Sequence, residues 1–336
     1  MVEDETPRGL PGAPVWKGVV SNDGTTWRAF RRTLKPRYGR VWFEVAVCYL
    51  TLVGSLTAAV VIERAWGLRG ALVGVPVLAL LVGLCLNALS LYGHEAAHGN
   101  VAGRRSLNDA LSEWFLWPWF AQTAASFRVS HWQHHLHLGE GGDTEISYRE
   151  CLDPWFLLRA VTGVSLFLAL FRYARANQSG EVSPAAVGES APGSPLFAAG
   201  RTVALNAVIV GSLCWVSAFV TAFAWVAGVL VAYPLVATLR QILEHRRTEA
   251  GCEEDFGETD HGPVLRMFAR GVFARCFGAA GFDRHLLHHW EPSVSYTCFD
   301  EMEAYVERTP LAGSLRATRS TYAQTLSEML RSARRG

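Results

Sequence analysis

Nine of the eleven histidines in this 336-residue chain gather in four clusters. His94 and His98 lie in Gly93-His94-Glu95-Ala96-Ala97-His98, and His131, His134 and His135 follow in His131-Trp132-Gln133-His134-His135. His245 stands four residues after Gln241, and His285, His288 and His289 come last. Spacings of three and four bring side chains to one face of a helix, about one turn apart. Each cluster can therefore aim its imidazoles at a common point. Neutral imidazole is a ligand for iron, zinc, copper and nickel, whereas a single zinc takes only three or four groups. Nine histidines exceed what one ion can use and suit two ions, each held by four or five imidazoles.

Apolar runs deliver these clusters. Half of the chain is hydrophobic, only 18% is charged and the mean hydropathy is +0.15, a composition typical of membrane proteins. A net charge of +1 argues against nucleic acid as a partner, because such chains carry a basic excess. Val41 to Ile62, with Glu44 as its one charge, and the uncharged Ala71 to Gly93 each suffice for a hydrocarbon core that needs about 20 residues. Glu63 to Gly70 makes a short outer turn between them. Basic residues without acids from Arg28 to Arg40 place the N-terminus on the cytoplasmic side, so the second span returns His94 to the cytoplasm. Thr202 to Leu239 is uncharged and as one helix would run roughly 57 Å. It should fold back near Thr221 to Trp225, with Pro234 kinking the last span. Trp155 to Phe171 contains Arg159 and is expected along the membrane surface, since a crossing there would put the second and third histidine boxes on opposite faces.

The expected fold is an all-α integral membrane protein. Four transmembrane helices in two hairpins are joined by interfacial helices and covered by a cytoplasmic cap, with both termini and the metal site cytoplasmic, in the inner membrane if the source is bacterial. Residues 1–40 form an N-terminal arm, 41–245 the core with boxes one and two, and 246–336 the cap with box three. Within the arm, residues 1–27 read as loose, and their acidic start does not resemble a cleaved signal peptide. Residues 176–200, rich in Ser, Gly, Pro and Ala, read as a linker. Trp114 to Phe120 carries aromatics suited to headgroup level, with the lining of a substrate tunnel as the alternative. A histidine-rich ion pair at the mouth of such a bundle suggests iron that activates oxygen against a lipid-soluble substrate.

The boxes H-x-x-x-H, H-x-x-H-H and H-x-x-H-H, in this order around paired apolar hairpins, resemble the membrane fatty acid desaturase and hydroxylase superfamily over residues 41–300 or so. The resemblance implies a di-iron centre held by His94, His98, His131, His134, His135, His285, His288 and His289. It adds His245 as a ligand and Gln241 as a contributor through water, with Gln where the family usually has Asn. Asp143 and Glu145 resemble the acidic residues that follow box two in the family, and with Glu95 they are expected behind the ligands, hydrogen-bonding the imidazoles. The implied co-substrate is O2 and the implied substrate a lipid or acyl chain. Electrons are expected from a separate donor, such as ferredoxin or cytochrome b5 with its reductase, because no four-cysteine cluster is present. Desaturation is favoured over hydroxylation by the two H-x-x-H-H boxes and by the Gln241 to His245 spacing.

Other readings compete. His94 to His98 also matches H-E-x-x-H, the zinc protease motif, but a protease has no use for the remaining clustered histidines. A membrane metal-binding or transport protein would place ligands along its spans, and the spans here contain no histidine. His137 breaks the spacing and His261 reads as a surface residue. Glu44 is expected to reach the interface, and the seven cysteines, without a C-x-x-C pair, imply packing rather than a disulfide framework.

Overall fold

A computed structural model describes residues 10–164, 168, 194–256 and 259–333. The elements that matter for the site are α1 (Tyr38–Ala97), α2 (Arg105–Phe115), α3 (Ala124–His137), α4 (Pro154–Val161), α5 (Pro195–Trp215), α6 (Phe219–His245), α7 (Val272–Phe277), α8 (His285–Trp290) and α9 (Phe299–Val306). Among the described residues, α1, α5 and α6 are long and apolar enough to cross a membrane. The only strands among them are a two-residue parallel pair, Met267–Phe268 with Arg319–Ser320.

Helix α1 is a hairpin. Gly67 breaks it with φ 65° and ψ −163°, a conformation open mainly to glycine. The ends of the two arms then meet: the Tyr92 hydroxyl donates to Glu44 at 3.0 Å, and Trp42 Nε1 to the Val101 carbonyl at 3.0 Å. Glu44 is thus no isolated interfacial charge, because Arg40 and the Tyr296 hydroxyl also donate to it, at 2.8 and 2.6 Å. The second fold-back comes earlier than Thr221 to Trp225. It lies at Val216 to Ala218, where Ser217 takes φ 57°. Glu63 holds this turn by accepting the backbone N–H groups of Val220 and Thr221 at 3.0 and 2.9 Å, so an acid satisfies the free donors of a helix start.

The irregularity of α6 also precedes its proline. Gly228–Ala232 forms a wide π-type turn directly before Tyr233 and Pro234, which absorbs the hydrogen bond that proline cannot make. Glycines bring α1 and α6 into close contact there: a Cβ on Gly83 would lie 2.7 Å from Ala232 Cβ, and one on Gly228 would lie 2.6 Å from Val82 Cβ. Small residues at a helix crossing replace the hydrophobic drive that lipid cannot supply.

Three further expectations change. The arm is not loose from residue 10 onward. Trp16 stacks on Trp27 at 3.9 Å and donates to the Trp290 carbonyl at 3.1 Å, while Trp290 Nε1 donates to the Gly12 carbonyl at 3.0 Å. Packed indoles, two of them with satisfied N–H groups, outweigh the polar composition that suggested a free tail. The proposed linker is helical from Pro195, capped by Ser194, and its residues 176–193 lie outside the described residues, as does most of Trp155 to Phe171 beyond α4. Cys151 and Cys252 form a disulfide with Cα atoms 5.3 Å apart, tying the segment after box two to the segment after His245. Their separation of 101 residues gives no local motif from which the pairing could be read.

Candidate metal centre

Box one ends α1. Its last carbonyls, left free by the helix terminus, are taken by Asn108 Nδ2, which donates to Ala96 O at 2.8 Å, and by the buried Arg128, whose Nε donates to Ala97 O at 2.9 Å. Arg128 belongs to α3 and also meets Asp109 on α2, so one guanidinium fixes box one against box two. Helix α3 begins in a capping box between Thr123 and Ser126 and presents His131, His134 and His135 on one buried face. Box three occupies the short helix α8, reached through Ala280 and Gly281 at φ 53° and 79°. A Cβ on Gly281 would lie 2.5 Å from Tyr296 Cβ, so this turn requires glycine. His245 ends α6, whose terminal carbonyls accept from Arg266 at 2.9 Å (Leu243 O) and 2.6 Å (Arg246 O), a cation placed where the helix dipole favours one.

These elements bring eight of the nine histidines together in two groups and seat the ninth, His285, against the second. Ligand atoms of His94, His98, His131, His135 and His288 lie within 4.8 Å of one another, as do those of His134, His245 and His289. A set of Glu244, His245 and His285 meets the same limit and shares His245 with the second group. The rings pack against one another at varied angles, with His135 and His289, tilted at 45° with centroids 4.4 Å apart, joining the two groups. All nine are at most 4% exposed except His98, which is partly buried.

Outer partners set the orientation of several imidazoles. His131 Nδ1 lies 2.6 Å from Glu145 Oε1, His134 Nδ1 2.8 Å from Asp143 Oδ1 and His245 Nδ1 3.2 Å from Val264 O. An N–H on Nδ1 leaves the Nε2 lone pair pointing inward, the arrangement found around bound metals. Glu95 is fully buried, accepts from Asn100 Nδ2 and from the Tyr296 backbone at 3.2 Å each, and faces His288 Nδ1 at 3.6 Å. Tyr148 donates to Asp143 at 2.7 Å. Gln241 Nε2 donates to Glu145 Oε2 at 2.9 Å, so its amide nitrogen addresses the carboxylate behind His131.

The inner nitrogens crowd together in an arrangement that could hold a cation. Nε2 atoms approach in pairs, His135 to His288 at 3.1 Å, His245 to His285 at 2.8 Å and His289 to His285 at 3.1 Å. Both nitrogens of His94 and of His98 are buried without a protein partner, as is His131 Nε2. Protonation cannot relieve this crowding. Burial first, and the neighbouring imidazoles second, hold His98, His135, His285, His288 and His289 well below the usual histidine range. Neutral, convergent and otherwise unpaired imidazoles are the donor set that divalent transition metals take. His134 differs: burial would lower it, but the Asp143 and Glu145 carboxylates outweigh that and hold it up at about 9.

Two histidines stand apart from the groups. His137 is half-exposed and pairs with Glu140 at 3.3 Å. His261, expected at the surface, is 7% exposed. Its ring lies between Tyr148 and Phe256, at 5.0 and 4.7 Å, because its loop folds back onto the turn after box two through a His261 N–H to Gly139 O bond of 3.3 Å. Sequence reasoning also passed over Arg240 and Glu244, a buried ion pair one residue out of step with Gln241 and His245. A signal existed, since these are the first charges after a long uncharged run and charges at a membrane boundary mark function.

A cavity of about 810 Å³ runs from this centre between α1, α5 and α6. His94, Glu145, Arg240 and Gln241 touch one end, and Leu86, Trp119, Phe120, Val203, Trp225 and Val229 line the remainder. The aromatic stretch after α2 is therefore divided: Trp114 is 75% exposed, whereas Trp119 and Phe120 form cavity wall. Within the wall, Trp225 Nε1 donates to Asn206 Oδ1 at 3.0 Å.

A sequence profile described as fatty acid desaturase matches residues 70–319. No curated protein and no solved structure matches the chain.

Proposed function

Because the chain belongs to the fatty acid desaturase family, a membrane-associated and iron-dependent oxidoreductase family, we propose that it is an oxygen-dependent di-iron enzyme that introduces a double bond into a lipid or acyl chain. The observation that carries this reading is the largely apolar cavity that reaches the histidine cluster at His94. A slot walled by Leu, Val, Phe and Trp excludes water and extends a hydrocarbon chain past the centre, and a small set of polar groups at one end fixes its register. His94, His98, His131, His135 and His288 would hold one iron, and His134, His245, His285 and His289 the other. When bound, the pair supplies oxygen activation against an unactivated C–H bond. The protein groups behind the ligands do the positioning. Glu145 and Asp143 accept the Nδ1 protons of His131 and His134, Gln241 and Tyr148 hold those carboxylates in turn, and Glu95 backs His288.

Four membrane crossings follow if both arms of α1 cross along with α5 and α6; both termini then share a side, and the basic residues from Arg28 to Arg40 favour the cytoplasmic one for them and for the metal centre. Electrons then come from a separate cytoplasmic or membrane-bound donor of the ferredoxin or cytochrome b5 type. Hydroxylation is the second reading, because the same centre serves it and the outcome depends on angstrom-level placement of two neighbouring carbons. The test is turnover of the iron-loaded protein with a reductase system, O2 and lipid extracts, read by mass spectrometry. A product lacking two hydrogens supports desaturation. A product retaining them and carrying one atom from labelled O2 assigns the protein to the hydroxylases instead.

A further inference from the structure

The carboxylates around the two histidine groups do not address them in the same way. Glu145, Asp143 and Glu95 all face Nδ1 nitrogens, of His131, His134 and His288. These are the outer atoms, and a carboxylate there orients a ligand. Among the described residues, only Glu244 faces an inner atom: its Oε2 lies 3.9 Å from His285 Nε2, the nitrogen that His245 Nε2 and His289 Nε2 approach at 2.8 and 3.1 Å. Glu244 is fully buried, and its Oε1 has no partner among the described residues. Arg240, one helical turn earlier, donates to Oε2 through Nη1 and lies over the Phe282 ring at 4.6 Å.

An ion pair that only neutralised Arg240 would need no oxygen aimed at an imidazole cluster. One oxygen of Glu244 lies within 4.8 Å of ligand nitrogens of His245 and His285, and a cation at the point those atoms share would offset the cost of burying a carboxylate that Arg240 bonds through Oε2 alone. We propose, building on the di-iron reading above, that Glu244 is a direct carboxylate ligand of the second ion and that Arg240 is the positioning residue that aims it. The two ions then differ in kind. The first has imidazoles alone, while the second gains a hard, negatively charged oxygen.

The experiment compares wild type, Glu244→Gln, Glu244→Asp and the double variant Arg240→Met with Glu244→Gln, all produced on iron-57 and read by iron per chain and Mössbauer spectroscopy. Wild type should hold about two ions giving two unequal signals, and each variant should fall to about one ion or show one altered signal beside one unchanged. The unchanged signal reports that the fold persists. Glu244→Asp keeps the charge beside Arg240 and only withdraws the oxygen, so it separates ligation from charge balance. The double variant removes the unpaired buried charge and should still lack the wild-type second signal. Glu244→Gln or Glu244→Asp with the complete wild-type spectrum overturns the proposal, as does recovery of that spectrum in the double variant. Wild type holding fewer than two ions overturns the di-iron reading itself, and this ligand assignment with it.

Discussion

The two histidine groups are built from different kinds of structure. His94, His98, His131 and His135 project from α1 and α3, whose ends are locked by Arg128 and Asn108, and only His288 reaches them from the cap. The second group joins one residue of α3, His134, to His245 at the end of α6 and to His285 and His289 of the cap. It depends on Arg266, on the Val264 carbonyl and on the loop that carries Cys252. The first group is therefore a property of two helix ends held together, whereas the second exists only after the cap has docked. The same imidazole chemistry can thus rest on local order at one ion and on long-range assembly at the other.

The largest effect that would test this contrast is loss of a ligand. His135→Ala should remove the first ion and His289→Ala the second, each lowering iron from about two to about one per chain and abolishing turnover. Metal analysis of the purified variants checks this, and loss of both ions from either variant would show that the groups are not separable. Next come the outer carboxylates. Asp143→Asn should weaken the second ion and Glu145→Gln the first, each by about 10–100-fold in metal affinity, as read by chelator competition.

Acidity separates the groups further. His134 is held up at about 9, so binding the second ion must displace a proton, and its apparent affinity should rise about tenfold per pH unit from neutral pH until about 9. Burial holds His98, His135 and His288 well below the usual histidine range, so these ligands surrender no proton to the first ion and its affinity should rise less steeply over that range. Iron titrations between neutral pH and 9 decide the matter, and parallel curves for the two ions would remove the distinction.

The smallest expected effect is at His261. Burial holds it down to about 4, against an unfolded value of 6.5. The folded form therefore resists protonation, and stability is lost as pH falls from 6.5 toward 4. His261→Phe keeps a ring between Tyr148 and Phe256 and should leave the content of both ions unchanged. It should also reduce the loss of thermal stability on moving from neutral pH to pH 5, by about 1 kcal/mol. Unfolding curves in detergent at the two pH values check it. His261→Ala should spare the ions too, but leaves a cavity that lowers stability at both.

Much of this site was legible in the amino-acid sequence because its ligands are spaced by helix periodicity. Residues three and four apart share a face wherever the helix is placed, so His94 with His98, and His131 with His134 and His135, form groups before any tertiary contact is known. Apolar run length identified the helices that carry them for a similarly local reason. The positions of the turns were less legible: Ser217, not the region of Thr221, reverses the chain, because Glu63 from a distant hairpin stabilises that turn.

What remained hidden depends on pairs far apart along the chain. Trp16 with Trp290, Cys151 with Cys252 and Glu244 with His285 are juxtaposed only by packing, and none has a spacing that any local rule reads. The sequence by itself determined that nine imidazoles would gather in four clusters, two of them at the ends of apolar helices. Only the tertiary structure decided how they divide into two groups and which nitrogen of each ring faces inward, because ring orientation is set by partners such as Asp143, Glu145 and Val264. It also decided that Glu244, alone among the nearby carboxylates, faces the inner side of the cluster.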